Sequence, residues 1–380
     1  MEKQRQIHQS MLTIDSHADT PLNIVRAGQN LAVRSDSRKG GSKIDFPRMK
    51  EGGLDGVFFA VYVGQGSRTP EGNEKARQTA MTIFDSIHAV INRYPELVKM
   101  GLKADDLEKI NRDGRLAVFI GIENGYVLGN DIKLLETYYD LGARYITLCH
   151  SSNNDICDSS TDDDGPEHGG LSEFGKEVVA KMNQLGIIID VSHISDEAFY
   201  DVLEISRAPV IASHSSARAI CNHPRNLSDE MLLALAENEG VIQVCTVSEY
   251  LKEIPAYPER DSAKRAVINK YGNYYMLPPE ERELFLNAWF AVDTIFPPIL
   301  ATVADYADHI DHIVQIAGID HVGIGTDFDG GGELEGCYDV SEMGNITFEL
   351  LKRGYTRDEI QKIWSGNLLR VFREVEKRGL

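Results

Sequence analysis

The residues SEFGKEVVAKMNQLGIIIDVSH (172–193) join a helical pattern directly to a short apolar strand, and this unit decides the fold. Up to Gly186 the apolar residues recur at helical spacing, whereas GIIIDVSH (186–193) is β-branched and ends in a histidine. Gly186 stands where a helix C-cap belongs, as does Gly240 after a later helical stretch. A helix that leads straight into an apolar strand is typical of folds in which crossover helices join parallel strands.

Similar units occur along the whole chain. Amphipathic stretches, of which 75–94, 172–186 and 228–240 are the clearest, separate eight apolar runs. The runs are MLTIDSHAD (11–19), GVFFAVYV (56–63), LAVFIGIENG (116–125), RYITLCH (144–150), GIIIDVSH (186–193), PVIASHS (209–215), GVIQVCTV (240–247) and HVGIGTDFDG (321–330). Eight strand–helix units predict a single (β/α)₈ TIM barrel over residues 1–380. A doubly wound open sheet stays open as the alternative, because periodicity counts the units without showing that the sheet closes.

The segment 251–300 interrupts this repeat. It is rich in aromatic residues and proline, and it is too long for an ordinary connection between a strand and a helix. We predict an insertion at about 251–300 that follows the seventh strand, on the face of a barrel where active sites form. The insertion is either a lid over that face or a helical flap packed on the side of the barrel or on another subunit.

Charge and composition bear on the partners of the protein. The formal charge of −20 and the sequence pI near 5.0 argue against nucleic acid, whose binders present basic surfaces. The first residues are polar and no stretch is apolar for long enough to cross a bilayer, so we predict a soluble protein without membrane attachment. The cysteines include no C-x-x-C pair, which indicates reduced thiols and a cytoplasmic location. Small molecules or peptides are the expected partners, and a homodimer stays open.

The acidic stretch DSSTDDDG (158–165) lacks the EF-hand spacing and is predicted to be a solvated loop.

Nearly every apolar run ends in an ionisable side chain. These residues are His17, Asp19, Glu123, His150, His193, His214 and Asp327. In a barrel the C-terminal strand ends meet at one mouth, so residues far apart in the chain become neighbours. One such histidine alone would be interpreted as an ordinary hydrogen-bonded residue, but their joint placement predicts a metal site. Histidine and carboxylate ligands without cysteine suit catalytic zinc, with manganese, cobalt and iron as alternatives. The ligands exceed what one zinc ion uses, which favours two ions bridged by Glu123.

Seven motifs carry a resemblance to a known family. They are IDSHAD (14–19), DFPRMKEGGLDGVFFAVYV (45–63), GIENG (121–125), DVSHIS (190–195), SHSSARAICNHPRN (213–226), GIGTDFDG (323–330) and NLLRVF (367–372). In order and spacing the chain resembles the membrane dipeptidase (renal dipeptidase) family of zinc peptidases, in its soluble bacterial form. The resemblance covers nearly the whole chain apart from 251–300. It implies a barrel of the metal-dependent hydrolase, amidohydrolase-like type.

The resemblance also implies a division of the metal ligands. The positions that match His17 and Asp19 hold one zinc ion in the family. The positions that match His193 and His214 hold the second, and the position that matches Glu123 bridges the two ions. The cofactor expected from the resemblance is therefore two zinc ions per subunit.

The remaining motif positions imply roles toward a substrate. His150 matches a histidine that steadies the tetrahedral oxyanion, and Asp327 matches the acid/base residue. Arg225 and Tyr250 match residues that contact the carboxylate of a dipeptide. The implied reaction is hydrolysis of a dipeptide by a metal-bridging hydroxide.

Two other functions stay open. One is another amidohydrolase-type metal hydrolase, such as a deaminase, a lactonase or a phosphotriesterase-like enzyme. Those enzymes typically open with H-x-H, whereas this chain has H-x-D at 17–19. The other is a catalytically silent metal-binding or ligand-binding barrel, which would be expected to have lost a metal ligand or the acid/base residue.

Overall fold

The computed structural model describes residues 2–272, 274 and 277–379. Within these residues nine parallel strands form one sheet. They are β1 (Ile14–Ala18), β2 (Gly56–Tyr62), β3 (Val98–Met100), β4 (Leu116–Glu123), β5 (Ala143–Thr147), β6 (Ile188–Asp190), β7 (Ile211–Ser215), β8 (Val241–Val244) and β9 (Val322–Ile324). Eight of them follow one another in the order β1-β2-β4-β5-β6-β7-β8-β9, and β3 pairs with β4 outside this series.

Helices alternate with these strands, as the sequence periodicity predicts. They are α1 (Glu2–Gln9), α2 (Thr20–Ala27), α3 (Phe46–Gly52), α4 (Pro70–Arg93), α5 (Asp106–Arg112), α6 (Leu134–Asp140), α7 (Glu173–Leu185), α8 (Asp196–Ile205), α9 (Asp229–Glu237), α10 (Ser248–Leu251), α11 (Pro258–Tyr271), α12 (Pro279–Ile295), α13 (Val303–Ala317), α14 (Gly344–Lys352), α15 (Arg357–Gln361) and α16 (Asn367–Arg378). None of the described helices is long and apolar enough to span a bilayer.

The sheet closes between its first and last strands. Ala18 forms a parallel bridge with Phe328, just beyond β9. The Asp19 N–H donates to the Phe328 carbonyl at 2.8 Å, and the Asp327 N–H donates to the His17 carbonyl at 3.0 Å. The prediction of a (β/α)₈ barrel is therefore confirmed, and the open-sheet alternative is wrong. The seam that closes the barrel also places Asp327 beside His17.

Aromatic side chains fill the inside of the barrel below its mouth. Phe58 of β2 lies 5.0 Å from Phe119 of β4 and 5.2 Å from Tyr145 of β5, measured between ring centroids. Phe372 of α16 lies 6.1 Å from Phe58, so the C-terminal helix covers the lower end of this cluster. Gly121 leaves room for Tyr145, since a Cβ atom at position 121 would lie 2.0 Å from the Tyr145 ring. The cluster makes a rigid floor, and Tyr145 is its uppermost member.

The segment 251–300 contributes α11 and α12, which pack on each other around their own apolar cluster. Its buried members include Val267 and Phe285. Asp293 pairs with Lys264 at 2.7 Å and with Arg260 at 2.9 Å, which ties the two helices together. A cavity of about 340 Å³ separates this segment from the barrel, and residues of the turn after Asp327 line its inner wall.

Three local features differ from the sequence predictions. The sequence periodicity missed the short strand β3, whose middle residue is exposed. Gly240 does not cap α9, because that helix ends at Glu237 with Asn238 as its C-cap, and the left-handed residue is Glu239, with a φ of 62°. The predicted solvated loop 158–165 exposes Asp163 and Asp164, but Asp158 at its start is 1% exposed, because its carboxylate accepts hydrogen bonds from the backbone N–H groups of residues 167–170.

Candidate metal centre

The structure brings together all seven ionisable residues that end the apolar runs. His17 and His214 lie within β1 and β7, Glu123 is the last residue of β4, and Asp19 follows β1 directly. The other three residues follow the C-terminal ends of β5, β6 and β9, and they are His150, His193 and Asp327. Three overlapping groups have ligand atoms within 4.8 Å of one another. The groups are His17–Glu123–His214, Glu123–His150–His193 and His17–Asp19–Asp327.

Glu123 is the centre of this cluster. Its Oε2 atom lies 3.6 Å from Nε2 of His17. Its Oε1 atom lies 3.2 Å from Nε2 of His193 and 3.4 Å from Nε2 of His214. One carboxylate therefore presents each oxygen to a different set of ring nitrogens, as a bridging ligand does.

Three buried atoms of the cluster lack partners of their own. Nε2 of His17, Oδ1 of Asp19 and Oε2 of Glu123 are buried and have no hydrogen-bond partner among the described residues. Buried polar atoms are almost always paired, so atoms of this kind converging on one space need a ligand. The nitrogen and oxygen donors, with no cysteine among them, fit zinc or a related divalent metal ion.

The electrostatics of the cluster favour bound positive charge. Burial alone would lower the pKa of His17, but the carboxylates of Glu123, Asp19 and Asp327 outweigh it and raise that pKa to about 10. Burial raises the pKa of Asp327 to about 7, with Glu123 adding to the rise against the opposing charge of His17. Burial, with the nearby charge of Glu123, raises the pKa of Asp19 as well. Several buried carboxylates share one space, and cations between them would relieve their repulsion.

His150 lies at the rim of the cluster. Its Nε2 atom is 3.7 Å from Oε1 of Glu123, its side chain is 24% exposed, and its Nδ1 atom is 3.0 Å from the Ser151 hydroxyl. The other histidines of the cluster are 5% exposed or less. Position alone would allow His150 to bind metal, but its exposed edge also lets it contact a substrate.

Backbone strain marks the same region. Five described residues other than glycine have positive φ angles, and four of them lie at or beside the cluster. They are Asn124 (78°), His193 (74°), Asp327 (57°) and Asp329 (69°). Such conformations cost about 1–3 kcal/mol each and persist only where the surroundings fix them. Of these four residues, His193 and Asp327 belong to the cluster itself, so backbone strain coincides with the site.

Arg225 supplies a buried positive charge beside the cluster. It is 3% exposed, and its guanidinium donates to the His214 carbonyl at 3.0 Å and to the Ser215 hydroxyl at 3.4 Å. Its Nε atom is buried and unpaired, and no carboxylate of the described residues forms an ion pair with it. The ring of Tyr250 lies 5.4 Å from the guanidinium carbon. A buried cation without a counter-ion is suited to binding an anion.

Three further residues of this region were not predicted from the sequence. Tyr62 ends β2, pairs in register with Glu123, and places its ring 4.8 Å from the ring of His150. Tyr145 lies beneath the cluster, with its hydroxyl 2.7 Å from Nδ1 of His17. Asp190 is fully buried inside the barrel. Each of the three is a polar residue within or at the end of an apolar run, on the strand face that points to the barrel interior. That pattern is the signal in the sequence that could have identified them.

The fold and this cluster together define a class, the metal-dependent hydrolases built on a (β/α)₈ barrel. Within that class, the family model described as "Membrane dipeptidase (Peptidase family M19)" matches residues 1–379, and the chain belongs to this family. It is therefore a metallopeptidase of the dipeptidase type, an enzyme that hydrolyses peptide bonds. The resemblance drawn from the sequence motifs is confirmed.

Individual relatives agree with this assignment. The chain is 32% identical over 372 residues to "Dipeptidase tcpJ" of Claviceps purpurea, covering 95% of this chain and 76% of that protein. It is 34% identical over 341 residues to "Dipeptidase aclJ" of Aspergillus oryzae, covering 88% and 70%. The crystal structure of the probable dipeptidase PvdM from Pseudomonas aeruginosa has a TM-score of 0.84 and 30% identity, covering 100% of this chain and 98% of that one.

Proposed function

We propose that the protein hydrolyses dipeptides with two zinc ions, one held by His17 and Asp19 and the other by His193 and His214. Glu123 would bridge them. The observation that carries the proposal is the carboxylate of Glu123, whose two oxygens face different histidines at 3.2–3.6 Å. The buried, unpartnered atoms of His17, Asp19 and Glu123 support one ion. Nε2 of His193 and Nε2 of His214, which lie 2.8 Å apart and both face Oε1 of Glu123, support the second.

Two bound zinc ions would supply a water of lowered pKa and polarise the peptide carbonyl. The chain's own residues would do the rest. Asp327, with Oδ1 at 3.9 Å from Nε2 of His17, is proposed to carry a proton to the nitrogen of the leaving amine. His150, at the exposed rim, is proposed to donate a hydrogen bond to the oxyanion that develops on the carbonyl oxygen.

Arg225 is proposed to bind the free α-carboxylate of the substrate, with Tyr250 beside it. A buried guanidinium can hold a carboxylate through two parallel hydrogen bonds. Because this cation is fixed close to the metal ligands through the His214 carbonyl, the chain of a substrate would end one residue past the scissile bond. This arrangement favours dipeptides over longer peptides.

The other metal hydrolases of the same barrel class are less well supported. The family match and the dipeptidase names of the relatives favour a peptide substrate over a deaminase or lactone substrate. The net charge of −20 supports small peptides rather than nucleic acid as partners, and we propose a cytoplasmic enzyme without membrane attachment.

The test is a substrate and metal screen of the purified protein. We expect close to two zinc equivalents, loss of activity with a chelator, and recovery with added zinc. Dipeptides should be cleaved much faster than tripeptides or C-terminal amides. In His17→Ala, His193→Ala and Glu123→Gln, elemental analysis should show lost metal. Full metal content in all three variants, or equal cleavage of tripeptides, would contradict the proposal.

A further inference from the structure

Asp190 lies inside the barrel beneath the metal ligands, where four donors converge on its carboxylate. Its Oδ1 atom accepts from the backbone N–H groups of Ser192 at 3.0 Å and Ser213 at 2.8 Å. Its Oδ2 atom accepts from the Ser213 hydroxyl at 2.6 Å and from the Thr147 hydroxyl. Four donors occupy the acceptor sites of both oxygens, which is the environment of an ionised carboxylate.

The Ser213 hydroxyl links this carboxylate to His214. Its oxygen lies 2.8 Å from Nδ1 of His214. A hydroxyl has one proton, and Ser213 uses that proton in its bond to Asp190, so toward His214 it can only accept. Nδ1 of His214 must therefore carry the ring proton, and Nε2 keeps its lone pair. Nε2 is the atom that faces Glu123 and His193.

The other two buried histidines of the cluster are not controlled in this way. Nδ1 of His193 has no hydrogen-bond partner among the described residues. Nδ1 of His17 lies beside the Tyr145 hydroxyl, which can donate as well as accept. Within the described part of the chain, His214 is the histidine of the three whose tautomer is dictated by a carboxylate.

We propose that Asp190 is a positioning residue that acts through Ser213 to hold His214 in the tautomer able to bind metal. The inference rests on the proposed metal centre, and it assigns to Asp190 and Ser213 a role that does not require contact with substrate or metal. The nitrogen that binds a metal ion is set by the hydrogen bond at the other ring nitrogen.

The hydrogen bonds from Ser213 to Asp190 and from His214 to Ser213 form a relay. Asp190→Asn should reverse the direction of this relay rather than only weaken it. The two backbone N–H groups at Oδ1 require an acceptor, so the amide oxygen takes that place and the amide nitrogen replaces Oδ2. The nitrogen then donates to Ser213, which frees the Ser213 proton for Nδ1 of His214. His214 would then carry its ring proton on Nε2, which faces the proposed metal centre, and Nε2 would have no lone pair with which to bind metal.

The first measurement is the zinc affinity of the loaded protein, by competition with a chelator. In Asp190→Asn we expect the more weakly held zinc equivalent to dissociate about 10–100-fold more readily. Ser213→Ala removes the relay without reversing it, so its loss should be smaller than that of Asp190→Asn. Thr147→Val is the matched control, since it removes a donor to Asp190 but leaves the relay, and its affinity should stay within about threefold.

The second measurement reads the tautomer directly, by ¹⁵N NMR of protein labelled at histidine. After zinc removal the parent should show the His214 proton on Nδ1, and Asp190→Asn should show it on Nε2. Retention on Nδ1 in Asp190→Asn, or an equal loss of zinc in Thr147→Val, would overturn the inference. If Asp190→Asn does not fold, Ser213→Ala decides, because a His214 proton still confined to Nδ1 there would overturn it too. A parent protein that binds no zinc would instead refute the proposed metal centre.

Discussion

Replacing Arg225 by methionine tests whether the protein recognises the carboxylate end of its substrate. The guanidinium is 3% exposed and has no carboxylate partner among the described residues, so the substrate carboxylate would be its counter-ion. A hydrogen bond to a charged group contributes about 1.5–3 kcal/mol. Its loss predicts a fall of about 12- to 140-fold in kcat/KM, since about 1.4 kcal/mol corresponds to tenfold.

The variant also loses bonds within the protein, and the assay has to separate that effect. Arg225 donates to the His214 carbonyl and to the Ser215 hydroxyl, so its removal disturbs the metal centre as well. We therefore compare a dipeptide with its C-terminal amide in both proteins. Disturbance of the centre lowers kcat/KM for both substrates equally, whereas the lost ion pair lowers it for the free acid alone.

In Arg225→Met, the ratio of kcat/KM for the free acid to kcat/KM for the amide should fall by about 12- to 140-fold. Arg225→Lys is the control, since it keeps the charge but loses the planar fork, and its preference should lie between those of the parent and Arg225→Met. An unchanged ratio of acid to amide in Arg225→Met would refute the role of Arg225, however low the absolute activity.

Three further outcomes follow from the structure. Asp327→Asn should lower kcat by about 10²–10⁴-fold, with metal content and melting temperature retained. The control, Asp329→Asn, should lower the melting temperature and keep kcat within a few-fold, because Asp329 accepts structural hydrogen bonds from residues 20, 42 and 43. The reverse pattern would exchange the roles of the two aspartates. Gly330→Ala should abolish activity and reduce bound metal, since a Cβ atom there would lie 2.1 Å from Oδ1 of Asp327 and 2.5 Å from Oδ2 of Asp19. The control, Gly331→Ala, should keep most activity, because its added Cβ atom would lie no closer than 3.3 Å to any neighbouring atom. Equal effects in the two variants would contradict this steric explanation. Burial tends to raise the pKa of Asp158, but hydrogen bonds from backbone N–H groups hold that pKa below its ordinary value, so its stabilisation is present above the unfolded-state pKa of about 4 and is lost as pH falls through the folded-state pKa. Urea unfolding of Asp158→Asn should show about 1.5–3 kcal/mol less stability than the parent at pH 7 and a shrinking difference below pH ~4, and a constant difference down to pH 3 would contradict the linkage.

The sequence was sufficient for the strand–helix repeat and for the meeting of the ionisable residues that we propose as metal ligands. The apolar runs predicted eight barrel strands, and the positions of His17, Glu123 and His214 at their ends predicted that these side chains would meet. This works because a barrel gathers its C-terminal strand ends at one mouth, so position along each strand already fixes the neighbourhood. Periodicity could not show closure, which depends on hydrogen bonds between Asp327 and His17 across the seam.

The tertiary structure alone decided which polar residues support those ligands. Asp190 and Ser213 lie on different strands, and nothing in their local sequence shows that one proton shared between them fixes the ring of His214. Asp158 likewise belongs to an acidic stretch that would be expected to be exposed to solvent. Its carboxylate is instead buried, because it accepts hydrogen bonds from the backbone N–H groups of residues 167–170. The reason is general: apolar periodicity is a local property of the chain, whereas a buried polar group is stable only with partners that distant segments bring to it.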